Sequence, residues 1–131
     1  MSTIDDALYA YLTAPTTQTG SIISDRLYPL VLPQNPTYPA ATYQQITDQL
    51  TATGQSEPGD LNDALFQFDC YGSSHKKAKL LAQAMRADLS GYQGTLSGIK
   101  VTSLFQNEYD FWGAEAGVWR VTLEFKILFN I

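Results

Sequence analysis

The chain has one cysteine and one histidine in 131 residues, Cys70 and His75. An internal disulfide is therefore excluded, and nothing points to an oxidising compartment. A zinc site of the Cys/His type takes about four ligands, so no metal is expected. Bases are scarce too, 8 against 13 acids, for a net charge of −5. That balance opposes the phosphate backbone, whose affinity for proteins comes largely from lysine and arginine, so no sequence-specific nucleic-acid partner is expected. No apolar run approaches the length that spans a bilayer, which leaves no membrane partner. The first residues, Met1-Ser2-Thr3-Ile4-Asp5-Asp6, set acids where a signal peptide carries positive charge, so a soluble cytoplasmic chain is expected. No Gly-rich phosphate loop follows a strand, and no Ser/His/Asp order assembles from one histidine. The chain is read as a non-enzyme, with no catalytic, cofactor-binding or metal-binding residue and no cofactor.

What is present is an ordinary apolar fraction, 44%, in a length that suits a single domain over 1–131. Ser2 followed by Asp5 reads as a helix cap, and Ile4, Leu8, Tyr11 and Leu12 recur at helical spacing before Pro15. Thr16 to Gly20 reads as a polar turn. Pro29, Pro33, Pro36 and Pro39 then exclude a helix or a central strand between Leu27 and Pro39. An ordered arm wrapped over the domain is expected there, burying Leu27, Leu30, Val31 and Leu32.

Ala41 to Thr51 reads as a strand, Ala52 to Asp60 as a mobile loop, and Ala64 to Tyr71 as a firmer strand. In that second strand Ala64, Phe66, Phe68 and Cys70 share one face, with Gln67 and Asp69 on the other. Ser74 caps a helix to about Ser90, with an apolar stripe of Ala78, Leu81, Ala82, Met85 and Leu89 and a stop at Gly91. After a turn at Gly94 to Gly98, Ile99, Val101 and Phe105 alternate with polar residues. The last strand points Trp119, Val121, Leu123, Phe125, Ile127 and Phe129 one way, and Arg120, Thr122, Glu124 and Lys126 the other. No internal repeat or low-complexity tract is present. The expected fold class is α+β: an antiparallel sheet of about four strands with two helices packed on one face, plus a Pro-rich extended arm.

Four groups invite a chemical reading. Cys70 and His75 suggest a thiolate–imidazole pair, but a cysteine on an apolar strand face usually behaves as a small hydrophobe. Asp48 and Asp69 suggest paired carboxylates across neighbouring strands, with two solvated charges on the polar face as the simpler account. Lys76, Lys77 and Lys79 read as a solvated helix face rather than a nucleic-acid patch. The segment Asn107 to Gly117, read as the joint between the last two strands, carries Tyr109, Phe111 and Trp112. Such rings either anchor a protein interface or fold back onto their own hairpin, and the arm poses the same choice.

Several segments, in order, resemble the tail-completion or tail terminator proteins of long-tailed bacteriophages and prophages. They are the first helix, Arg26-Leu27-Tyr28-Pro29, Pro33-Gln34, and Pro39-Ala40-Ala41-Thr42-Tyr43. Phe66-Gln67-Phe68-Asp69-Cys70-Tyr71 follows, then a helix with Ala78, Leu81-Ala82, Met85-Arg86-Ala87 and Leu89, and finally Glu108-Tyr109-Asp110. The resemblance implies a structural virion protein at the head–tail junction, present in the host cytoplasm during assembly. It implies a ring-forming subunit, commonly one of six, that caps the completed tail tube and meets the head connector. Its implied partners are the tail tube protein, the head-connector protein and further copies of itself. The interface residues expected are Tyr28, Tyr38, Tyr109, Phe111 and Trp112. The alternative is a small ligand- or peptide-binding α+β module with a pocket between helices and sheet.

Overall fold

The computed structural model describes residues 3–51, 61–113 and 117–130; the loop expected at 52–60 lies outside them. Helix α1 spans Ile4–Leu12 and buries Ile4, Ala7, Leu8 and Leu12, while Tyr11 is half-buried. Its cap sits one residue later than the sequence suggests. The Thr3 hydroxyl accepts from the Asp6 N–H at 3.1 Å, and the Asp6 carboxylate accepts from the Thr3 N–H at 3.3 Å. This reciprocal pair needs its acid at the third helical position, which Asp6 holds and Asp5 does not. Helix α2, Gln18–Ile23, stands where a polar turn is expected. The carboxylate of Asp88 accepts from the N–H groups of Gln18 at 3.2 Å and Thr19 at 2.7 Å. Thr17 caps it locally, its hydroxyl accepting from the Gly20 N–H at 3.0 Å, but six residues with a glycine among them are too short a run to read as a helix.

The strands are β1 (Leu27–Pro29), β2 (Ala40–Thr51), β3 (Leu61–Gly72), β4 (Gln93–Leu96), β5 (Ile99–Gly113) and β6 (Val118–Asn130). They form one sheet in the order β1-β2-β3-β6-β5-β4, with β1 parallel to β2 and every other pair antiparallel. Helix α3, His75–Leu89, packs on β3, β5 and β6. Ser74 caps it, accepting from the Lys77 N–H at 3.2 Å, and the chain leaves it at Gly91 with φ +71°. That backbone conformation suits glycine because it has no Cβ to clash.

The layout therefore differs from the one expected. The described protein is mostly β, a curled and mixed sheet of six strands with three short helices, not an antiparallel sheet of four strands with two helices. The missing strands are the two edges, and each has a reason to be silent in the sequence. β1 is three residues long and ends on Pro29, which edge strands tolerate. β4 is almost wholly exposed, so it has no alternation to read, and its turn shrinks to Ser97-Gly98, both with positive φ. The arm is also corrected. Leu27 is buried, but Leu30 and Val31 are exposed and Leu32 is only half-buried. Leu30 has φ +65°, which turns the chain off the sheet edge before those side chains can pack. The far end of the arm is held by Arg26, whose Nε donates to the Pro39 carbonyl at 2.9 Å.

The core lies between the helices and the sheet, with Leu8 and Leu12 of α1, Ile23 of α2 and Leu81 and Met85 of α3 all in it. Ala64, Phe66, Phe68 and Cys70 of β3 and Val121, Leu123, Phe125 and Ile127 of β6 are fully enclosed there, as their alternation predicts. The Phe68 and Phe105 rings meet Phe125 edge-on at 5.8 and 5.7 Å. One row crosses the sheet through Gln45, Phe66, Phe125 and Phe105. Immediately beyond it each flanking strand carries a bulge, at Ile46 in β2 and at Gln106 in β5. An extra residue increases local twist and shifts the side chains that follow to the other face.

Candidate interaction surface

Beyond its bulge, β5 exchanges its faces. Glu108 now lies opposite Leu123 and Asp110 opposite Val121, on the side of α3; Tyr109 lies opposite Thr122 and Phe111 opposite Arg120, on the outer side. Helix α3 meets the two acids with a basic stripe, His75, Lys79 and Arg86. Lys79 Nζ donates to Glu108 Oε2 at 2.5 Å and to Asp110 Oδ1 at 2.9 Å, and Arg86 Nη1 reaches Glu108 Oε1 at 3.3 Å. His75 Nε2 lies 3.2 Å from Asp110 Oδ2, and its ring meets Trp119 edge-on at 5.2 Å. Hydrogen bonds from Lys79, then from His75, hold the Asp110 carboxyl below its ordinary range. The hydrogen bonds that Lys79 donates to Glu108, then to Asp110, hold its ammonium above its ordinary range.

The aromatic residues thus stand on a tethered strand, not on the loop that the sequence suggests. Tyr109, Phe111 and Trp112 are 44%, 44% and 50% exposed. Each contacts the facing strand of its own hairpin: Tyr109 donates to Glu124 at 3.2 Å, Phe111 lies under the Arg120 guanidinium at 4.4 Å, and Trp112 packs on Trp119 at 4.5 Å; the Tyr109 and Phe111 rings also meet at 6.5 Å. Each ring thus has one side packed on its own hairpin and the other exposed. Tyr28 and Tyr38 are half-buried, the first on β1 and the second in the arm.

Tyr38, Phe111 and Trp112 come together in a cleft of about 320 Å³, closed by Leu32, Tyr71, Val118 and Arg120. Tyr28 and Tyr109 do not line it. Sequence reading misses Arg120, because on an alternating strand it looks like any solvated polar position. Beside the cleft, Asp69 accepts from Thr122 at 2.6 Å, from Gln67 at 3.3 Å and from Thr42 at 3.5 Å, knitting three strands together.

The chemical pairings considered from sequence are not assembled. Asp48 lies opposite Ala64, and so on the α3 face, whereas Asp69 lies opposite Thr42 on the other. The β2 bulge causes this, since without it both acids share the polar face. Cys70 is fully buried, and burial, with smaller contributions from Asp69 and Glu108, pushes its thiol well above the usual range. His75 is exposed and engaged with Asp110. Lys79 is committed to its acids, which leaves Lys76 and Lys77 exposed at the helix start. Among the described residues no group of three His, Cys, Asp or Glu side chains is placed to hold a metal ion. No described helix is long and apolar enough to cross a membrane.

The sequence over residues 6–130 matches the family described as "Tail completion protein gp17". A comparison with curated proteins gives no match. Among solved structures, a chain from the "Virion of native gene transfer agent (GTA) particle" has a similar fold, with a TM-score of 0.68 and 15% identity. The likeness covers 95% of this chain and 94% of that one. Tail completion proteins are structural components of the bacteriophage tail, and so of the virion. With nearly its whole length matched, the chain belongs to the tail completion protein gp17 family.

Proposed function

We propose that this chain is a ring-forming subunit that caps the completed tail tube and joins it to the head connector. It acts as one domain without chemistry of its own, and its partners are the tail tube protein, the connector protein and its own copies. The observation that carries this reading is the aromatic end of β5. Three large rings are left half bare on a strand fixed by four charge-assisted contacts to α3. Rigid aromatic groups lose little entropy on docking, which is why they anchor interfaces. The sheet also ends in two unlike edges, β1 with its arm and the exposed β4. Contacts between unlike surfaces generate rings when their rotation closes. Tyr28, Tyr38, Tyr109, Phe111 and Trp112 are the proposed contact residues. Neither the cleft at Arg120 nor a second one at the β4 edge is lined by α3, and between that helix and the sheet Phe66, Phe68, Phe125, Leu81 and Met85 are fully buried, so the alternative of a ligand-binding module draws no support there.

The test is reconstitution. Purified chain added to uncapped tail tubes should give a ring of density at one end by electron microscopy, and heads should then attach. The double variant Phe111→Ser/Trp112→Ser should stay folded by circular dichroism and leave tube ends bare. Normal capping by that variant removes the aromatic end from the reading, and tubes left bare by the unaltered chain refute it altogether.

A further inference from the structure

Among the described residues that line the cleft at the end of the sheet, Arg120 is the one charged group and none is an acid. Arg120 makes no hydrogen bond or ion pair with any described residue, and its Nε is sealed from solvent without an acceptor. Its guanidinium carbon instead lies over the Phe111 ring, 4.4 Å from the centroid. An enclosed donor without an acceptor is costly, and a cation bordered by aromatic rings is most improved by a carboxylate carried next to an apolar side chain. Leu30 and Val31, which precede the lining residue Leu32 on the arm, are exposed as well.

The described surface of the same chain carries the complement. Ile46, at the β2 bulge, is 41% exposed, and two residues on stands Asp48, exposed and without a hydrogen bond or ion pair to any described residue. The other exposed acid among the described residues without such a partner is Asp25, and the apolar residues two positions from it, Ile23 and Leu27, are buried. The two features cannot meet within one molecule. Asp48 lies level with Ala64 and Arg120 level with Tyr71, which separates them by about 23 Å along β3 and puts them on opposite faces.

We infer that the cleft beside Arg120 receives the Ile46–Asp48 segment of a second copy, with the Asp48 carboxylate on the guanidinium and the Ile46 side chain between Tyr38, Phe111 and Trp112. The contact joins unlike surfaces of the two copies, as a ring requires, and so it rests on the ring reading above while assigning its neighbour contact. The cost of a mispaired charge here gives the assignment a sharp signature.

Charge exchange tests it. Full-length Arg120→Glu, Asp48→Lys and the double variant are each added to uncapped tail tubes, and copies per tube end are counted by electron microscopy, with folding checked by circular dichroism. Each single variant, folded, should lose about tenfold or more in ring occupancy, and the double variant should return to within about threefold of the unaltered chain. Single variants that form rings normally, or a folded double variant that stays as defective as its parents, overturn the pairing and leave the ring standing. An unaltered chain that forms no ring overturns both. If Arg120→Glu forms rings but no longer holds tube or heads, the cleft belongs to a foreign partner and the assignment to a second copy is wrong.

Discussion

The two strands that flank the central pair leave the Gln45–Phe66–Phe125–Phe105 row through bulges at the same level, yet their continuations differ. β5 runs on under α3, turns Glu108 and Asp110 toward the helix, and is bound there by Lys79, Arg86 and His75. β2 runs on in the opposite direction, and there Ile46, Thr47 and Asp48 are exposed, with no side-chain hydrogen bond or ion pair to the described residues. The same backbone device thus serves one strand by pinning it and the other by leaving it bare. What decides the outcome is whether a helix with complementary charge lies over the shifted face.

Four experiments break or sharpen this contrast. The largest effect belongs to the row itself. Phe125→Ala removes a ring that is fully enclosed and meets both Phe68 and Phe105, and should cost about 3–5 kcal/mol in urea denaturation. A smaller loss would mean that the sheet collapses around the gap, and that the two continuations do not share one rigid origin. Next comes the pinned strand. Glu108→Gln leaves Lys79 and Arg86 with a weaker acceptor at a site whose acid side chain is 19% exposed, and should cost about 1 kcal/mol. Hydrogen exchange should quicken at Tyr109 to Trp112 and stay unchanged in β2.

How far this was legible in the sequence follows from the same strands. β3, α3 and β6 read correctly because one face of each is covered along most of its length, so alternation or helical spacing is kept residue by residue. β5 read correctly up to Phe105 and no further. Beyond the bulge the parity of its faces changes, and an unmarked Gln106 gives no warning of it. The edges β1 and β4 bury too little to leave a pattern, and α2 is only six residues long and takes part of its capping from Asp88. The aromatic residues were found by composition alone. Arg120 was not, because its distinction is the lack of a partner, which becomes visible only once the sheet is assembled.

Acid titration should show a smaller effect. The Asp110 carboxyl is held below its ordinary value of 3.8, chiefly by the hydrogen bond from Lys79. The unfolded chain therefore binds its proton first, and the contribution of Asp110 is complete above that value and lost as pH falls through the lowered one. Asp110→Asn should lose stability less steeply over that acid window than the unaltered chain. An unchanged slope would show that the contact with Lys79 is not made in solution. The smallest effect is expected on the bare strand, where Ile46→Thr should change stability by no more than about 0.5 kcal/mol. A substantially larger loss would show that Ile46 is packed within its own chain, and the contrast between the strands would fail.

The most direct test of the whole account is a density map of the chain seated on the end of a tail tube. The surface formed by Tyr38, Phe111, Trp112 and Arg120 should be covered by protein, with each subunit otherwise keeping the fold described. A ring in which that surface faces solvent, while subunits meet through other residues, would contradict the claim that the β5 end is built for neighbours.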